Sequence, residues 1–478
     1  MSNQIRVRIA PSPTGYLHIG TARTALFNYL FAKRNNGKFI LRIEDTDLER
    51  STKYYEDDIL DSLKWLGLEW DEFYKQSDRL PIYTKYVKQL LDNGKAFWCY
   101  HTKEELANEQ QEQMAGKQPP RHLCSYKGEN HKSPAYAEAS AGRQETGSKG
   151  IIRLKVDENS ERKIKFRDII RGDIEFEEKL LGDLSIAKDE STPLYNFAVV
   201  VDDYENNISH IIRGEDHIAN TPKQILIQEA LGFDMPQYAH LPLILGQDRS
   251  KMSKRHGATA VVEYSKLGYL PQSMVNFMAM LGFTPPDDRQ ILSLDELIEI
   301  FDLEKVHKGG AVFDIKKLDW LNGEYIKRLS DDELEKALLS GIHHNYQLTE
   351  VMGKPFLNMV RERIKKISDI KEFEFFLDGP NEYEKGLLKW KERTDEEVTG
   401  SLSKVRDIIE KIGTDDKDKL RAELDVLGKE LEDRGLVYWP LRVALSGMKA
   451  SPDPVDIANI LGKEKTLEHI RGGIEKLG

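Results

Sequence analysis

The start of the chain carries the pattern that most constrains its fold, which is a strand, a tight turn and a helix in immediate succession. Residues 5–10 predict the strand, and the Pro and Gly residues that follow predict the turn. A helix is predicted over about residues 21–33, because four apolar residues fit one helical face: Ala22, Leu26, Tyr29 and Leu30. A helix that is entered through Gly20 presents unpaired backbone N–H groups and the positive end of its dipole to an anion. With His18 as a ring donor beside them, this helix end is predicted to bind phosphate groups.

A second informative stretch lies mid-chain, where residues 251–257 read Lys-Met-Ser-Lys-Arg-His-Gly. This small polar loop offers two ammonium groups, from Lys251 and Lys254, and the hydroxyl of Ser253, which together suit a polyphosphate. Taken singly, His18 is an ordinary turn histidine and Lys254 a solvated loop charge, since short motifs often occur by chance. Both motifs in this order, separated by a half-domain, instead predict a nucleotide-binding site.

The composition excludes several classes of protein. The 478 residues are enough for about three domains, and 32% charged with 39% hydrophobic residues indicates a globular chain. No stretch approaches the roughly 18 uninterrupted apolar residues of a membrane span, so no membrane partner is expected. Two cysteines argue against a disulfide scaffold and fit a reducing cytoplasm. The net charge of −11 excludes an indiscriminately basic surface but not local phosphate-binding patches.

Polar residues follow two predicted strands at the point where each strand ends. Residues 39–43 form a buried-type strand that runs into Glu44, and residues 208–212 form a strand that delivers Arg213 to its end. Ligands of open parallel sheets bind outside the carboxyl ends of the strands. Both side chains are therefore well placed for a polar substrate.

Two more strands complete the predicted nucleotide fold. Residues 197–201 are a continuous apolar run rich in valine, which is typical of a strand buried on both faces. Residues 238–245 predict the strand that leads into the lysine loop. Between the two halves, residues 99–187 change to a polar, proline-interrupted segment with short strand-like runs, which indicates an inserted domain.

Strand signals fade beyond about residue 330, and helical signals replace them. Ser330 and Thr394 each precede a glutamate by three residues, which is the capping-box pattern of a helix start. A helical stripe of leucines follows at positions 420, 424, 427 and 431. The sequence thus predicts an α/β fold with a Rossmann-like parallel sheet, an inserted domain and an all-helical C-terminal region.

The predicted domains are the two halves of the catalytic domain, an insertion between them, a domain that carries the lysine loop, and the helical tail. The two halves of the catalytic domain are expected at residues 1–98 and 188–245, and the insertion at 99–187. The domain with the lysine loop is expected at 246–330 and the helical tail at 331–478.

The two motifs resemble the HIGH and KMSK signatures of class I aminoacyl-tRNA synthetases. Six further stretches resemble bacterial glutamyl-tRNA synthetases in sequence and order: residues 6–15, 41–47, 194–197, 200–203, 212–217 and 312–323. The helical tail agrees with this resemblance, because glutaminyl enzymes and archaeal or eukaryotic glutamyl enzymes carry β-barrels there. It also speaks against a glutamyl-queuosine tRNA synthetase, which lacks such a tail. A nucleotidyltransferase would lack the insertion and Arg213, and a non-catalytic paralogue would be expected to lose His18 or Lys254.

The resemblance implies ATP-dependent ligation of L-glutamate to tRNA(Glu) through a glutamyl-adenylate, with release of AMP and pyrophosphate. It implies ATP and ATP-bound Mg²⁺ at the site, a monomeric cytoplasmic enzyme, and glutamate activation that requires bound tRNA. By the same resemblance, the insertion would bind the acceptor end of the tRNA, residues 246–330 would contact its stem, and the helical tail would bind the anticodon. Whether tRNA(Gln) is charged as well stays open.

The resemblance also implies roles for individual residues. The catalytic residues would be His18, Gly20, Lys251 and Lys254, and ATP binding would add Thr21 and Ser253. Glutamate would be bound by Arg8, Ala10, Ser12, Glu44, Tyr195 and Arg213, with Glu44 facing the ammonium group. Arg213 is the strongest candidate for the side-chain carboxylate, because a guanidinium matches a carboxylate and glutaminyl relatives lack this arginine. A structural salt bridge at the strand end is the alternative role for Arg213.

Some members of the family bind zinc in the insertion, and this chain departs from their pattern. Cys99, His101 and Cys124 remain, whereas a structural zinc site needs four good ligands. Tyr126 or His122 would have to be the fourth, so a zinc site is not favoured and no metal ligand is assigned. In the tail, Arg361 and Arg363 belong to the most basic cluster and are candidates for binding the anticodon, with a solvated helix face as the alternative.

Overall fold

The computed structural model of the protein describes residues 4–47, 49–128, 150–341 and 346–478. These residues form two compact units. The first lies within residues 1–264 and 274–314, and the second within residues 265–273 and 315–478.

The strands are short and all lie before residue 315 in the described part of the chain. In chain order they are β1 (Arg6–Ile9), β2 (Lys38–Ile43), β3 (Glu72–Lys75), β4 (Ala96–Cys99), β5 (Ile151–Leu154), β6 (Lys163–Asp168), β7 (Gly172–Glu177), β8 (Leu184–Ala187), β9 (His210–Gly214), β10 (Gln237–Leu241), β11 (Ile244–Leu245) and β12 (Ala311–Val312).

Helices alternate with these strands and then follow one another without strands. In chain order they are α1 (Ile19–Arg34), α2 (Lys53–Trp65), α3 (Leu80–Asp92), α4 (Lys103–Ala115), α5 (Tyr195–Glu205), α6 (Thr221–Leu231), α7 (Val261–Lys266), α8 (Pro271–Met280), α9 (Leu294–Ile300), α10 (Ile315–Arg328), α11 (Asp331–Gly341), α12 (Tyr346–Arg363), α13 (Phe375–Asp378), α14 (Asp395–Ile412), α15 (Lys417–Glu430), α16 (Arg434–Ser446) and α17 (Pro454–Leu477).

Two sheets position the site in the first unit. One is parallel with the order β1-β2-β3, and the other has the order β7-β6-β10-β9, in which β6, β10 and β9 are parallel. A backbone hydrogen bond from Ser209 to Arg6 places the start of β1 beside β9. The carboxyl ends of β1, β2 and β9 therefore open on the same side, as the predicted parallel sheet requires.

The hairpin of β6 and β7 falls in the segment predicted to be an insertion, yet it pairs with β10. In the parallel register of β10 with β9, His240 lies opposite Arg213, and Tyr238 lies opposite Asp168 of β6. A third, antiparallel sheet of β4, β5 and β8 forms the rest of that segment. The predicted domain boundaries stay predictions.

The predicted strand at residues 197–201 is wrong, because these residues lie inside helix α5. All five are buried, so the helix has no polar face there and shows no helical period. The sequence pattern of a short apolar run of β-branched residues is the same for a buried helix and for a buried strand, so periodicity cannot distinguish them. The predicted strand at 238–245 is divided into β10 and β11, with Pro242 between them.

The second unit has helices and no strand among its described residues, as predicted. Both capping boxes are present: Ser330 and Glu333 bond reciprocally at the start of α11, and Thr394 and Glu397 do so at the start of α14. The leucine stripe lies on α15, where the first three leucines are buried in the core of the unit. In this region local pattern and tertiary packing favour the same structure.

Candidate active site

One cavity of about 390 Å³ gathers most of the residues that the sequence predicts to bind substrate. It opens beside the carboxyl ends of β1, β2 and β9 and the start of α1. Ten of the twelve predicted substrate-binding residues line it: Arg8, Ala10, Ser12, His18, Gly20, Thr21, Glu44, Tyr195, Arg213 and Lys251. The strand-turn-helix motif, the acid at the end of β2 and the arginine at the end of β9 thus reach one site.

Ser253 and Lys254 do not line this cavity. They lie at the start of an exposed helical turn in which the amide of Ser253 donates to the ring of His256 (3.1 Å). Asp248 holds the loop together by accepting hydrogen bonds from Ser250 and Arg255. Lys251, by contrast, is held at the cavity by Asp216, with its Nζ 3.1 Å from the carboxylate.

His18 is the N-cap of α1, and its Nδ1 accepts a hydrogen bond from the amide of Gly20 at 3.0 Å. The expectation that the Gly20 amide is unpaired is therefore wrong in this structure. Because Nδ1 is an acceptor, the neutral ring carries its proton on Nε2, and burial together with Lys251 lowers the pKa of His18. A Cβ on Gly20 would lie only 3.2 Å from Nδ1, so glycine lets the ring cap the helix this closely.

A buried ion network lies beneath the cavity and occupies Arg8. The Arg8 side chain donates to both oxygens of Asp203, at 3.0 and 3.3 Å, and Arg42 bridges Asp203 (2.7 Å) to Glu44 (3.1 Å). Burial raises the pKa of Glu44 to about 7 although Arg42 opposes the rise. Burial thus favours the protonated form of the Glu44 carboxyl, and an incoming cation would favour its anionic form.

Arg213 differs from Arg8 because its three hydrogen-bond partners are neutral. Its Nη1 donates to Gln224 (2.8 Å), its Nη2 to Thr221 (2.8 Å) and its Nε to His240 (3.2 Å). The residue is 5% exposed, and no carboxylate of the described residues forms a salt bridge with it. The alternative role as a strand-end salt bridge therefore applies to Arg8 and not to Arg213. A buried cation with neutral partners is suited to receive an anion.

Three residues at the site were not predicted. Asp203 pairs with Arg8, Asp216 holds Lys251, and His217 lies 3.1 Å from the hydroxyl of Tyr195 and lines the cavity. Burial and the nearby Arg213 lower the pKa of His217 to about 4, so its ring is neutral at physiological pH. All three fall within the stretches 200–203 and 212–217 that carry the family resemblance, which is the only signal that could have found them.

Four metal-ligating side chains converge in the segment predicted to be an insertion. The ligand atoms of Cys99, His101, His122 and Cys124 all lie within 4.8 Å of one another. The Cys99 sulfur is 3.4 Å from His101 Nδ1 and 3.5 Å from His122 Nε2, and the Cys124 sulfur is 3.6 Å from His101 Nδ1. Tetrahedral zinc with ordinary Zn–S and Zn–N bonds would hold sulfur and nitrogen about 3.6 Å apart. These four residues fit a zinc ion.

His122 is the fourth member of this cluster, and the sequence left the choice between His122 and Tyr126 undecided. Its Nδ1 contacts Glu109 at 2.5 Å, which directs Nε2 toward Cys99. A carboxylate that fixes the tautomer of a ligating histidine is the usual partner of such a ligand. Sequence spacing alone could not select His122, because Glu109 comes from helix α4 and the pairing depends on the fold.

The two arginines of the tail differ in their surroundings. Arg361 donates to Asp331 (2.5 Å) and Asn358 (3.1 Å), so its guanidinium is occupied within the second unit. Arg363 instead lines a separate cavity of about 230 Å³ together with Phe373 and Ser451. Of the two candidates for anticodon binding, Arg363 is the more accessible to a ligand.

None of the helices in the described ranges is long and apolar enough to cross a membrane.

Comparison with known proteins identifies both parts of the chain. Residues 4–320 match the family model "tRNA synthetases class I (E and Q), catalytic domain", and residues 314–474 match "Anticodon binding domain". A glutamate–tRNA ligase of Caldicellulosiruptor saccharolyticus is 43% identical, with 98% of each chain covered. One of Aquifex aeolicus is also 43% identical and covers 99% of this chain and 100% of its own.

A solved structure agrees with these relatives. The crystal structure of a glutamate–tRNA ligase from Elizabethkingia meningosepticum in complex with its amino acid superimposes with a TM-score of 0.85 at 32% identity, and each chain is covered completely. A family model that covers more than half of the chain, and relatives above 40% identity over nearly all of it, lead to one conclusion. The chain belongs to the glutamate–tRNA ligases, within the class I tRNA synthetases for glutamate and glutamine.

Proposed function

We propose that the enzyme joins L-glutamate to tRNA(Glu) through a glutamyl-adenylate and that Arg213 selects the amino acid. The observation that carries the proposal is the buried guanidinium of Arg213, which lines the same cavity as His18 and Lys251. Within the described ranges all of its hydrogen-bond partners are neutral. An amino acid with a side-chain carboxylate would supply the missing counter-charge.

Activation needs the α-carboxylate of glutamate to attack the α-phosphorus of ATP, with pyrophosphate as the leaving group. This step requires positioning and neutralisation of charge and no nucleophilic side chain. The Nε2–H of His18 is free to donate to the nucleotide, because Nδ1 is committed to Gly20. Thr21 lies beside it in the first turn of α1. Mg²⁺ bound to ATP would neutralise further phosphate charge.

The lysine loop would act on the leaving group. Lys251 already reaches the cavity, whereas Lys254 is exposed outside it. We infer that closure of this turn brings Lys254 and Ser253 onto the phosphates as charge builds on pyrophosphate. A contact that forms mainly in the transition state lowers the barrier without tightening ATP binding.

Glutamate would be held at three points. Its side-chain carboxylate would pair with Arg213, and its ammonium group would face Glu44, whose carboxyl lies buried at the end of β2. Tyr195, Ser12 and the backbone at Ala10 would complete the polar wall. Arg8 would serve mainly to hold Asp203 and the network around Glu44, since its own guanidinium is engaged there.

In the second step the terminal ribose hydroxyl of tRNA attacks the glutamyl-adenylate and releases AMP. The match of the tail to an anticodon-binding domain supports a tRNA partner. Arg363 is the residue there that we assign to the anticodon, and Arg361 would shape the helix that presents it. We place the enzyme in the cytoplasm as a monomer, and its two buried cysteines, neither in a disulfide, support a reducing compartment.

Charging assays with purified tRNA(Glu) and tRNA(Gln), each supplied with glutamate and with glutamine, test the proposed function. We expect glutamate to be attached to tRNA(Glu) and glutamine to neither tRNA. Glutamate attached to tRNA(Gln) as well would identify a non-discriminating enzyme with the same chemistry. Charging with glutamine in place of glutamate would refute the assignment of Arg213.

We also propose a structural zinc ion held by Cys99, His101, His122 and Cys124. When bound, zinc would tie β4 to the loop after α4 and take no part in the reaction. Replacing His122 by alanine should abolish stoichiometric zinc in the purified protein and lower its melting temperature, because loss of one ligand weakens binding by at least the 10–100-fold typical of an outer-shell change. Elemental analysis and thermal melts measure both.

The matched control for His122→Ala is Tyr126→Phe, which removes the hydroxyl of the other residue considered as a fourth ligand. Tyr126→Phe should keep zinc at one equivalent per chain. Loss of zinc in Tyr126→Phe with retention in His122→Ala would reverse the ligand assignment, and wild-type protein that binds no zinc would reject the site.

A further inference from the structure

Three buried side chains from three neighbouring strands form a chain of hydrogen bonds that ends on Arg213. Asp168 at the end of β6 contacts His240 of β10, with 2.6 Å between Oδ2 and Nδ1. His240 in turn accepts a hydrogen bond from Arg213 of β9, with 3.2 Å between Nε of Arg213 and Nε2 of His240. Asp168, His240 and Arg213 are 1%, 0% and 5% exposed. This Asp168–His240–Arg213 relay is sealed from solvent apart from the guanidinium end.

The carboxylate fixes which nitrogen of His240 carries the proton. Asp168 is an acceptor, so Nδ1 must be the protonated nitrogen, and Nε2 is left with a lone pair. That lone pair is what the Nε–H of Arg213 requires. Burial lowers the pKa of His240 and favours the neutral ring. The opposite tautomer would place two N–H groups against each other at this contact.

The relay also keeps the negative charge of Asp168 out of direct contact with Arg213, because the His240 ring lies between them. A carboxylate in place of His240 would orient Arg213 equally well but would form a salt bridge with it, as Asp203 does with Arg8. The neutral imidazole transmits the orientation imposed by Asp168 and leaves the guanidinium without a counter-ion. Gln224 and Thr221 fix the other two nitrogens in the same way.

We propose that Asp168 and His240 are positioning residues for amino acid selection, which set the plane and preserve the uncompensated charge of Arg213. The inference rests on the proposed role of Arg213 in binding the glutamate side chain. It assigns a specificity role to Asp168, which lies in a segment whose predicted partner is tRNA.

Asp168→Asn is the sharpest variant because the surrounding donors dictate how the amide would sit. Oδ1 accepts from the backbone amides of Ile170 (3.0 Å) and Arg171 (2.8 Å), whereas Oδ2 accepts from one backbone amide, that of His240 (3.0 Å). The side with two amide donors should keep the amide oxygen. The NH₂ group would then face Nδ1 of His240 and drive the ring proton to Nε2, against Arg213. An asparagine substituted for the aspartate of a catalytic triad acts through the same change of tautomer.

His240→Asn and His240→Gln separate the two ends of the ring. The shorter amide of asparagine reaches the position of Nδ1 and keeps the contact with Asp168, but offers nothing at the position of Nε2. The longer amide of glutamine can place its oxygen at the position of Nε2 and accept from Arg213. His240→Gln should therefore rescue what His240→Asn loses.

The measurements are kcat and KM for glutamate, ATP and tRNA(Glu), the preference for glutamate over glutamine, and the melting temperature. In Asp168→Asn and His240→Asn we expect glutamate KM to rise roughly 10- to 100-fold, the loss typical of a binding group displaced by about 1 Å. The preference for glutamate should fall in parallel, while KM for ATP and for tRNA stays within about twofold. His240→Gln should stay within about fivefold of wild type.

The matched control is His210→Asn, on the same sheet as the relay. His210 is buried on β9, contacts Ser209 (2.9 Å) and packs against Phe31, without a hydrogen bond to Arg213. We expect its glutamate KM and its preference for glutamate to be unchanged.

The outcomes separate the relay from the proposed function. If Arg213→Cys loses glutamate selectivity while Asp168→Asn and His240→Asn fold and keep the wild-type glutamate KM, the relay is refuted and the proposed function stands. Equal losses in His240→Gln and His240→Asn would also refute the relay. If Arg213→Cys itself keeps its preference for glutamate, the proposed role of Arg213 in selection fails and the relay fails with it, while ligation of glutamate stands.

Discussion

Replacing Arg213 by cysteine should lower kcat/KM for glutamate by roughly 10²–10³-fold or more and reduce the preference for glutamate over glutamine. Loss of one partner from a buried charge pair typically costs about 3–5 kcal/mol, and each 1.4 kcal/mol corresponds to about a factor of ten. Arg213 meets the condition for such a cost, because it is buried and has no carboxylate partner among the residues that the structure describes. KM for ATP should change little. Steady-state charging of tRNA(Glu) with each amino acid measures the effect.

Arg213→Lys is the matched variant for this experiment. It keeps the positive charge but loses the planar fork, which is held by Thr221, Gln224 and His240, so it should recover only part of the selectivity. A ratio of glutamate to glutamine that is unchanged in Arg213→Cys would show that Arg213 is structural. The selectivity would then have to come from Arg8 in spite of its salt bridge with Asp203.

Sequence reasoning placed residues at one cavity wherever a motif and a strand end coincide. Glu44 follows the carboxyl end of β2, Arg213 lies next to the carboxyl end of β9, and His18 caps the helix after the first turn. Such positions depend on local pattern and on one topological rule, so they can be inferred from a single sequence. For the same reason the capping boxes of the tail were predicted correctly.

Pairings between distant segments could not be predicted in this way. The carboxylate that pairs with Arg8 is Asp203. Arg213 is hydrogen-bonded to His240, which is itself hydrogen-bonded to Asp168. The chain has 81 acidic residues. The family resemblance draws attention to Asp203 but not to its pairing with Arg8, and no local pattern marks Asp168. Only the fold determines which acid faces which arginine.

Two further differences have the same origin. The sequence of helix α5 predicts a strand because complete burial removes the polar residues that would reveal a helical period. The amide of Gly20 was expected to be unpaired, but the ring of His18 folds back onto it as a cap. The second difference bears on the proposed chemistry, since it leaves the Nε2–H of His18, rather than the Gly20 amide, available to a nucleotide.

The lysine loop carries the other large expected effect. Lys254→Ala should lower the rate of adenylate formation on the order of 10²-fold or more, the loss typical of removing one preorganised charge, and should leave KM for ATP nearly unchanged. The reason is the location of Lys254, which is exposed and outside the cavity and so contributes little to the binding of ATP before the loop closes. A group that meets the phosphates only in the transition state appears in kcat. Single-turnover formation of the adenylate in the presence of tRNA(Glu) measures the rate.

Arg255→Ala provides the control for Lys254→Ala, because Arg255 is the next residue on the same exposed turn. Its guanidinium is held by Asp248 at 2.9 Å, so loss of this cation should alter the rate of adenylate formation by no more than a few-fold. If Arg255→Ala is as slow as Lys254→Ala, the positive charge of the turn acts collectively and Lys254 has no special contact with pyrophosphate. If Lys254→Ala keeps its turnover and only raises KM for ATP, the lysine binds the ground state, and loop closure must precede chemistry instead of accompanying it.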